Sequence, residues 1–235
     1  MTTIDSTSMH IRVVRFTMIT ALFFFCMNSF PNLNAQENDS KALDAQLDEI
    51  LLKSQSNDDT VQTQATCEIR QLVQLRDKHT ASFAKLEEGL IQSLTQLFKS
   101  QNAEDHKKAF HQIVMLGELR SSKSIPLLVE HLTFENPYVT TYQRGPFTYT
   151  EPEPKDLPVF AALLKTGPDA IEVVFQRAIS VDDSLIHSVC AELLMFHYKF
   201  KGALMWLDEA LGRGGLTNKQ LSRVKVIKDF VETRR

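Results

Sequence analysis

Three cysteines among 235 residues leave this chain without a disulfide framework. Cys26, Cys67 and Cys190 form no C-x-x-C pair and no zinc-ligand spacing. An excess of positive charge is missing as well, since 26 basic residues stand against 29 acidic ones for a net charge of −3. Phosphate backbones are bound by clustered cations, so this balance removes nucleic acid as a partner. Lys225, Lys228, Arg234 and Arg235 read as a solvated helix end, where cations complement the helix dipole. The usual catalytic signatures are lacking too, with no G-x-S-x-G elbow and no H-E-x-x-H pair. Gly212-Arg-Gly-Gly215 follows a helical pattern and reads as its C-cap, whereas a phosphate cradle follows a strand and opens a helix. His106 and His111 stand five apart, roughly 140° around a helix from each other, so they cannot chelate together. No metal and no cofactor is expected. Glu87-Glu88 and Asp182-Asp183 read as ordinary surface and helix-start carboxylates.

The one long apolar run lies at the N-terminus. Arg12 and Arg15 precede the uncharged stretch Phe16 to Met27, and a polar segment then ends in Leu33-Asn34-Ala35. A cationic start, an apolar core and a small residue before the cut make a secretory signal. Residues 1–35 are therefore expected to be a signal peptide cleaved after Ala35, leaving residues 36–235 as the working domain, periplasmic or extracellular. The alternative is an uncleaved signal that tethers the chain to a membrane. Against it, a helix of the 12 apolar residues reaches only about 18 Å, short of the roughly 30 Å hydrocarbon core. Cys26 follows Phe25, where lipoprotein processing wants Gly or Ala, so no lipid anchor is expected there. The remaining 200 residues carry 24 basic and 28 acidic side chains and suffice for one domain or a short repeat array.

Glycine and proline are also sparse, at eight each, and five of the prolines crowd into residues 137–158. Elsewhere apolar residues recur with helical spacing. Leu43, Leu47, Ile50 and Leu51 form one stripe, and helices are expected over 60–78, 82–99 and 104–119. The last of these should turn Ala109, Phe110, Ile113, Val114 and Gly117 inward. Pro126 and Pro168 each open a helix, where the missing N–H costs nothing. Asp182 is expected to cap the helix bearing Ile186, Val189, Cys190, Leu193 and His197, and Lys201-Gly202 to divide it from the helix of Ala203, Trp206, Leu207 and Leu211. Thr217 and Gln220 form a capping box for a last helix. Cys67 and Cys190 are expected to be buried thiols, a single bridge being the alternative that export permits.

Three segments can be superposed: Leu116 to Leu132, Leu163 to Ile179 and Leu194 to Leu211. Each joins the end of one helix to an amphipathic second helix through a short polar turn, as helix-pair solenoids do. The first, with Leu116-Gly117, a polar turn and Ile125-Pro126-Leu127-Leu128, resembles a HEAT repeat of the short type also seen in bilin lyases. Its Arg120-Ser121-Ser122 departs from the Gly-Asp turn common in that group. The match covers about 25 residues, or half the chain with the degenerate copies, and implies an all-α, HEAT-like antiparallel helix-pair solenoid with a habit of protein binding. It carries no implication of bilin chemistry, because such repeat residues are packing residues.

The departure from this scaffold is residues 134–157, a Pro/Tyr-rich loop or small β-hairpin inserted between helices. Tyr138, Tyr142, Arg144, Phe147 and Tyr149 gather around a Gly-Pro turn signal, and tyrosine joins large contact area to a hydrogen-bonding tip. These five are the candidate partner-binding residues. The competing reading is an insertion that folds back over the core. The chain is thus expected to be an exported, non-catalytic scaffold that recognises a protein partner. Its rivals are a hydrolase or lyase whose site, using Glu151, Glu153 or a histidine, is assembled only in three dimensions, and an envelope assembly factor.

Overall fold

A computed structural model of the chain describes residues 40–139, 141–144, 147–149 and 152–234, with the backbone alone at 142–144 and 147–149. The signal expected over residues 1–35 lies outside the described residues. The chain divides into a unit Met1–Leu43 and a unit Asp44–Arg235, and the second contains the packing described below.

The class is all-α. In chain order the helices are α1 (Ser40–Ser54), α2 (Asp59–Leu72), α3 (Thr80–Leu97), α4 (Ala103–Glu118), α5 (Ile125–Glu130), α6 (Pro158–Thr166), α7 (Asp169–Ser180), α8 (Ser184–Gly212) and α9 (Asn218–Thr233). Two three-residue strands, β1 (Tyr142–Arg144) and β2 (Phe147–Tyr149), pair antiparallel with Tyr142 opposite Tyr149 and Arg144 opposite Phe147.

The sequence marks most helix starts. Asp58 accepts from the Thr60 amide at 2.8 Å and Asn102 from the Glu104 amide at 3.1 Å, each satisfying one donor that a helix start leaves orphaned. Thr217 and Gln220 exchange bonds across the first turn of α9 as a full capping box. Two expectations are corrected. The cap of α8 is Asp183, which accepts from the Leu185 and Ile186 amides, and not Asp182. The break inside α8 falls at Lys199, with φ 61° and ψ 174°, and not at Lys201-Gly202. Gly202 stays helical because its role is clearance: a Cβ there would come within 3.0 Å of the Tyr198 Cβ.

Within the second unit each helix touches its successor or the helix after next. The pairs α2 with α4, α4 with α6 and α6 with α8 form one series, and α5 with α7 and α7 with α9 another. Neighbours in sequence join the two series at α3 with α4, α5 with α6, α6 with α7, α7 with α8 and α8 with α9. Helix α4 therefore meets α2, α3 and α6, and its buried surface is wider than one stripe. Ala109, Ile113 and Gly117 are buried as expected, together with His111, Gln112, Met115 and Leu116, whereas Phe110 and Val114 are only half-buried. The Gln112 amide nitrogen donates to Ser93 Oγ at 2.9 Å from within the core.

Helix α4 approaches α6 closely at Gly117. A Cβ on Gly117 would lie 2.8 Å from the Ala162 Cα, so only glycine lets these backbones meet. Beside that contact Glu118 accepts from Arg70 of α2 at 2.6 Å and Lys165 of α6 at 2.8 Å. Near the C-terminus of α7, Ala178 and Ile179 are buried, and the last carbonyls of the helix need partners. His187 Nε2 meets the Ala178 and Val181 oxygens at 3.0 and 3.2 Å, and Arg223 donates to the Ile179 oxygen at 2.8 Å.

Candidate functional site

Helices α3 and α4 and the chain leaving α5 bring together a group of rings that sequence spacing does not reveal. His131 stacks on Phe98 with centroids 3.7 Å apart and planes 15° from parallel. Phe134 stands edge-on to both Phe98 and His106, and Phe110 edge-on to both His111 and Tyr138. Asn136 shapes the approach: its side-chain oxygen accepts from the Tyr138 amide at 3.0 Å, an Asx turn that aims the tyrosine back at the helices.

Tyr138 is the hub. Its hydroxyl donates to Asp59 Oδ1 at 2.8 Å and lies 3.1 Å from His111 Nε2. A phenol has one proton, and with that proton on Asp59 the imidazole Nε2 must be the second donor. The residue nevertheless remains 43% exposed, so it is fastened at its tip while part of it stays open to solvent. Burial, the bond to Asp59 and the charges of Asp59 and Glu104 all push the phenol well above its ordinary value. Burial pulls His111 below its ordinary value against the opposing charge of Asp59, and burial does the same to His131 against Glu130.

Phe110 also walls a cavity of about 210 Å³. Val114, Leu157, Pro158 and Ala161 supply apolar lining, and Lys155 and Lys165 are the basic groups in it. Lys165 is paired with Glu118, and Lys155 with Glu153 at 3.2 Å. Burial pushes the Glu118 carboxyl up, but its bonds from Lys165 and Arg70 outweigh that and hold it below the usual range.

This chemistry fastens more readily than it reacts. A phenol raised above its ordinary value is a poor acid and a poor nucleophile at neutral pH, and the His111 Nε2 proton is engaged with that phenol. Glu153, a candidate in the enzymatic reading, is spent with Asp156 on capping the short 3-10 turn Pro154–Asp156. Among the described residues no group of three or more His, Cys, Asp or Glu is placed to hold a metal ion. Cys190 is a buried free thiol pushed up by burial, so no bridge joins it to Cys67, which is half-buried where burial was expected.

Of the five residues singled out from sequence, Tyr138 takes part in this cluster. Tyr142 and Arg144 lie on β1 and Phe147 and Tyr149 on β2, with their side chains outside the described residues, as is Glu151. Asp59, Phe110 and His111 were missed, and Asp59 and Tyr138 are 79 positions apart with no local signal joining them. Among the described residues no helix is long and apolar enough to cross a membrane. No protein-family model, curated protein or solved structure matches the chain.

Proposed function

We propose that this protein is an exported, non-catalytic scaffold of HEAT-like helix pairs that captures a protein partner through its groove and the Tyr-rich segment between α5 and α6. The observation that carries the reading is Tyr138, a residue held at its tip by two helices and still exposed to solvent. A large ring immobilised before binding loses little freedom when a partner covers it, which is how aromatic anchors gain affinity. The neighbouring cavity of about 210 Å³ has room for one large apolar side chain of that partner, with Lys155 and Lys165 among its lining groups. The contacts of α2 with α4, α4 with α6, α5 with α7 and α7 with α9 support the repeat assignment, since a solenoid buries each pair against the next. Export is supported by the N-terminal pattern of Arg12, Arg15, Phe16 to Met27 and Ala35.

Two measurements test this. The purified protein is expected to begin at Gln36, and an intact residue 1 would replace secretion with tethering. In pull-downs from the envelope fraction, the protein with glycines in place of Val139 to Tyr149 is expected to lose its specific partner, and unchanged capture would remove the segment from the binding surface.

A further inference from the structure

Between Glu192 and Asp208 helix α8 has no acidic side chain. It carries two lysines there, Lys199 and Lys201, set among Phe196, Tyr198 and Phe200. Six large apolar residues stay exposed among the described residues, and three of them fall in this stretch: Phe196 at 55%, Tyr198 at 38% and Met205 at 72%. The same stretch contains the backbone break at Lys199, whose φ of 61° and ψ of 174° form a combination that only glycine adopts freely. Phe196 and Tyr198 thus end one helical half, and Lys201 and Met205 begin the other.

Lys201 and Met205 stand at i and i+4, on one side of the second half. Tyr198 joins them there, since a Cβ on Gly202, the residue after Lys201, would come within 3.0 Å of the Tyr198 Cβ. Ala203 and Leu207, each about 200° around the helix from Lys201 and Met205, are the buried side. Among the described residues no carboxylate pairs with Lys199 or Lys201, and Lys199 reaches only the Phe196 oxygen, at 3.5 Å. The acidic residues that bound the stretch are engaged elsewhere, Glu192 with Arg234 and Asp208 with Lys228.

We propose that this side of α8 is a peripheral docking face for a membrane surface rich in anionic phospholipid. Its aromatic and methionine side chains suit the boundary between headgroups and acyl chains, where lysine stems lie along apolar surface while their ammonium groups reach the phosphates. Charge decides between occupants. Lysine is depleted from protein interfaces, whereas lysine mixed with exposed aromatic residues is the composition of helices that lie on anionic bilayers. Among the described residues no helix is long and apolar enough to cross a membrane, so α8 lies on the surface, and it does so without an N-terminal tether. This face is separate from the Tyr138 segment, and the proposal goes beyond the capture of a protein partner without resting on it.

The experiment is co-sedimentation of the purified protein with phosphatidylcholine vesicles, with and without phosphatidylglycerol, at about 0.1 M and about 0.5 M salt. Binding is expected with phosphatidylglycerol at the lower salt, and severalfold less at the higher salt or on phosphatidylcholine alone. Lys199→Gln/Lys201→Gln should weaken it about 25-fold, or about fivefold for each cation. Phe196→Ser/Met205→Ser should abolish it, while Leu52→Ser on α1, at another exposed apolar residue, should change nothing. The four residues replaced on α8 are exposed, so the melting temperature is expected to stay the same. On the unmodified protein, anionic vesicles should also shield Lys199 and Lys201 from an amine reagent and leave the exposed Lys85 on α3 reactive. Absence of binding to the anionic vesicles, or lysines left unshielded, overturns the proposal. Binding that survives both double variants does the same, since the contact then lies elsewhere, an intact N-terminal segment included. So does a dimer in vesicle-free solution that Phe196→Ser/Met205→Ser disperses, the face then being covered by a second copy. The vesicles carry no protein, so failure here leaves partner capture standing, and loss of partner capture leaves this face standing.

Discussion

The contact of α4 on α6 and the docking of Tyr138 on α2 and α4 use the same helix, and they are held by different physics. Around Gly117 the backbones touch and the neighbours Met115, Leu116, Ala162 and Leu163 are almost wholly removed from water. Met115, Leu116 and Leu163 each contribute about 1.5 to 3 kcal/mol through burial, a term that pH does not alter. At Tyr138 the ring is partly wet, and the contact consists of one phenol, one carboxylate and one imidazole. Such contacts are worth about 1 kcal/mol each and change with protonation. The first region can fix a fold, and the second can only fix an orientation.

Substitution at Gly117 should break that comparison most severely. Alanine in a helix normally gains about 1 kcal/mol over glycine. Here the Ala162 backbone leaves no room for a Cβ, so Gly117→Leu is expected to lose about 3 kcal/mol in urea denaturation, and a neutral result would show that α6 can move away. Arg223→Ala comes next. It strands the buried Ile179 carbonyl at the end of α7 and should cost about 2 kcal/mol, measured as a lower Tm. Tyr138→Phe should cost only about 1 kcal/mol, and the loss should appear as faster exchange at Val139 with global stability almost unchanged. A Tyr138→Phe protein that melts as early as Arg223→Ala would mean that the segment belongs to the core.

Acid sharpens the comparison most finely. Glu118 is held below its usual range, so its contribution is present above its unfolded value and disappears as pH falls through the lowered folded one. Glu118→Gln should therefore reduce the slope of stability against pH on the acid side. An unchanged slope would show that Arg70 and Lys165 add little there.

The difference between the regions also explains what could be read from the sequence. Helices governed by local chemistry were legible: Pro126 and Pro168 at helix starts and the Thr217 and Gln220 box all mark ends where the structure places them. The face of α4 was misjudged at Phe110 and Val114 because periodicity predicts one buried stripe and cannot foresee three neighbouring helices. The Lys199 break was displaced because glycine attracted the prediction, although Gly202 is small to admit Tyr198. Tyr138 was found from its composition-rich segment, but Asp59 and His111 were not. Their meeting depends on how α2 and α4 pack, which no short-range pattern records.

Photocrosslinking tests most directly whether the Tyr138 segment is the face offered to a partner. A photoreactive side chain at Val139, in cells that make the protein, is compared with the same group at Leu52, an exposed apolar residue on α1. The account predicts one intermolecular adduct of defined mass from position 139 that position 52 does not give. No adduct at 139, or the same adducts from both positions, would contradict it.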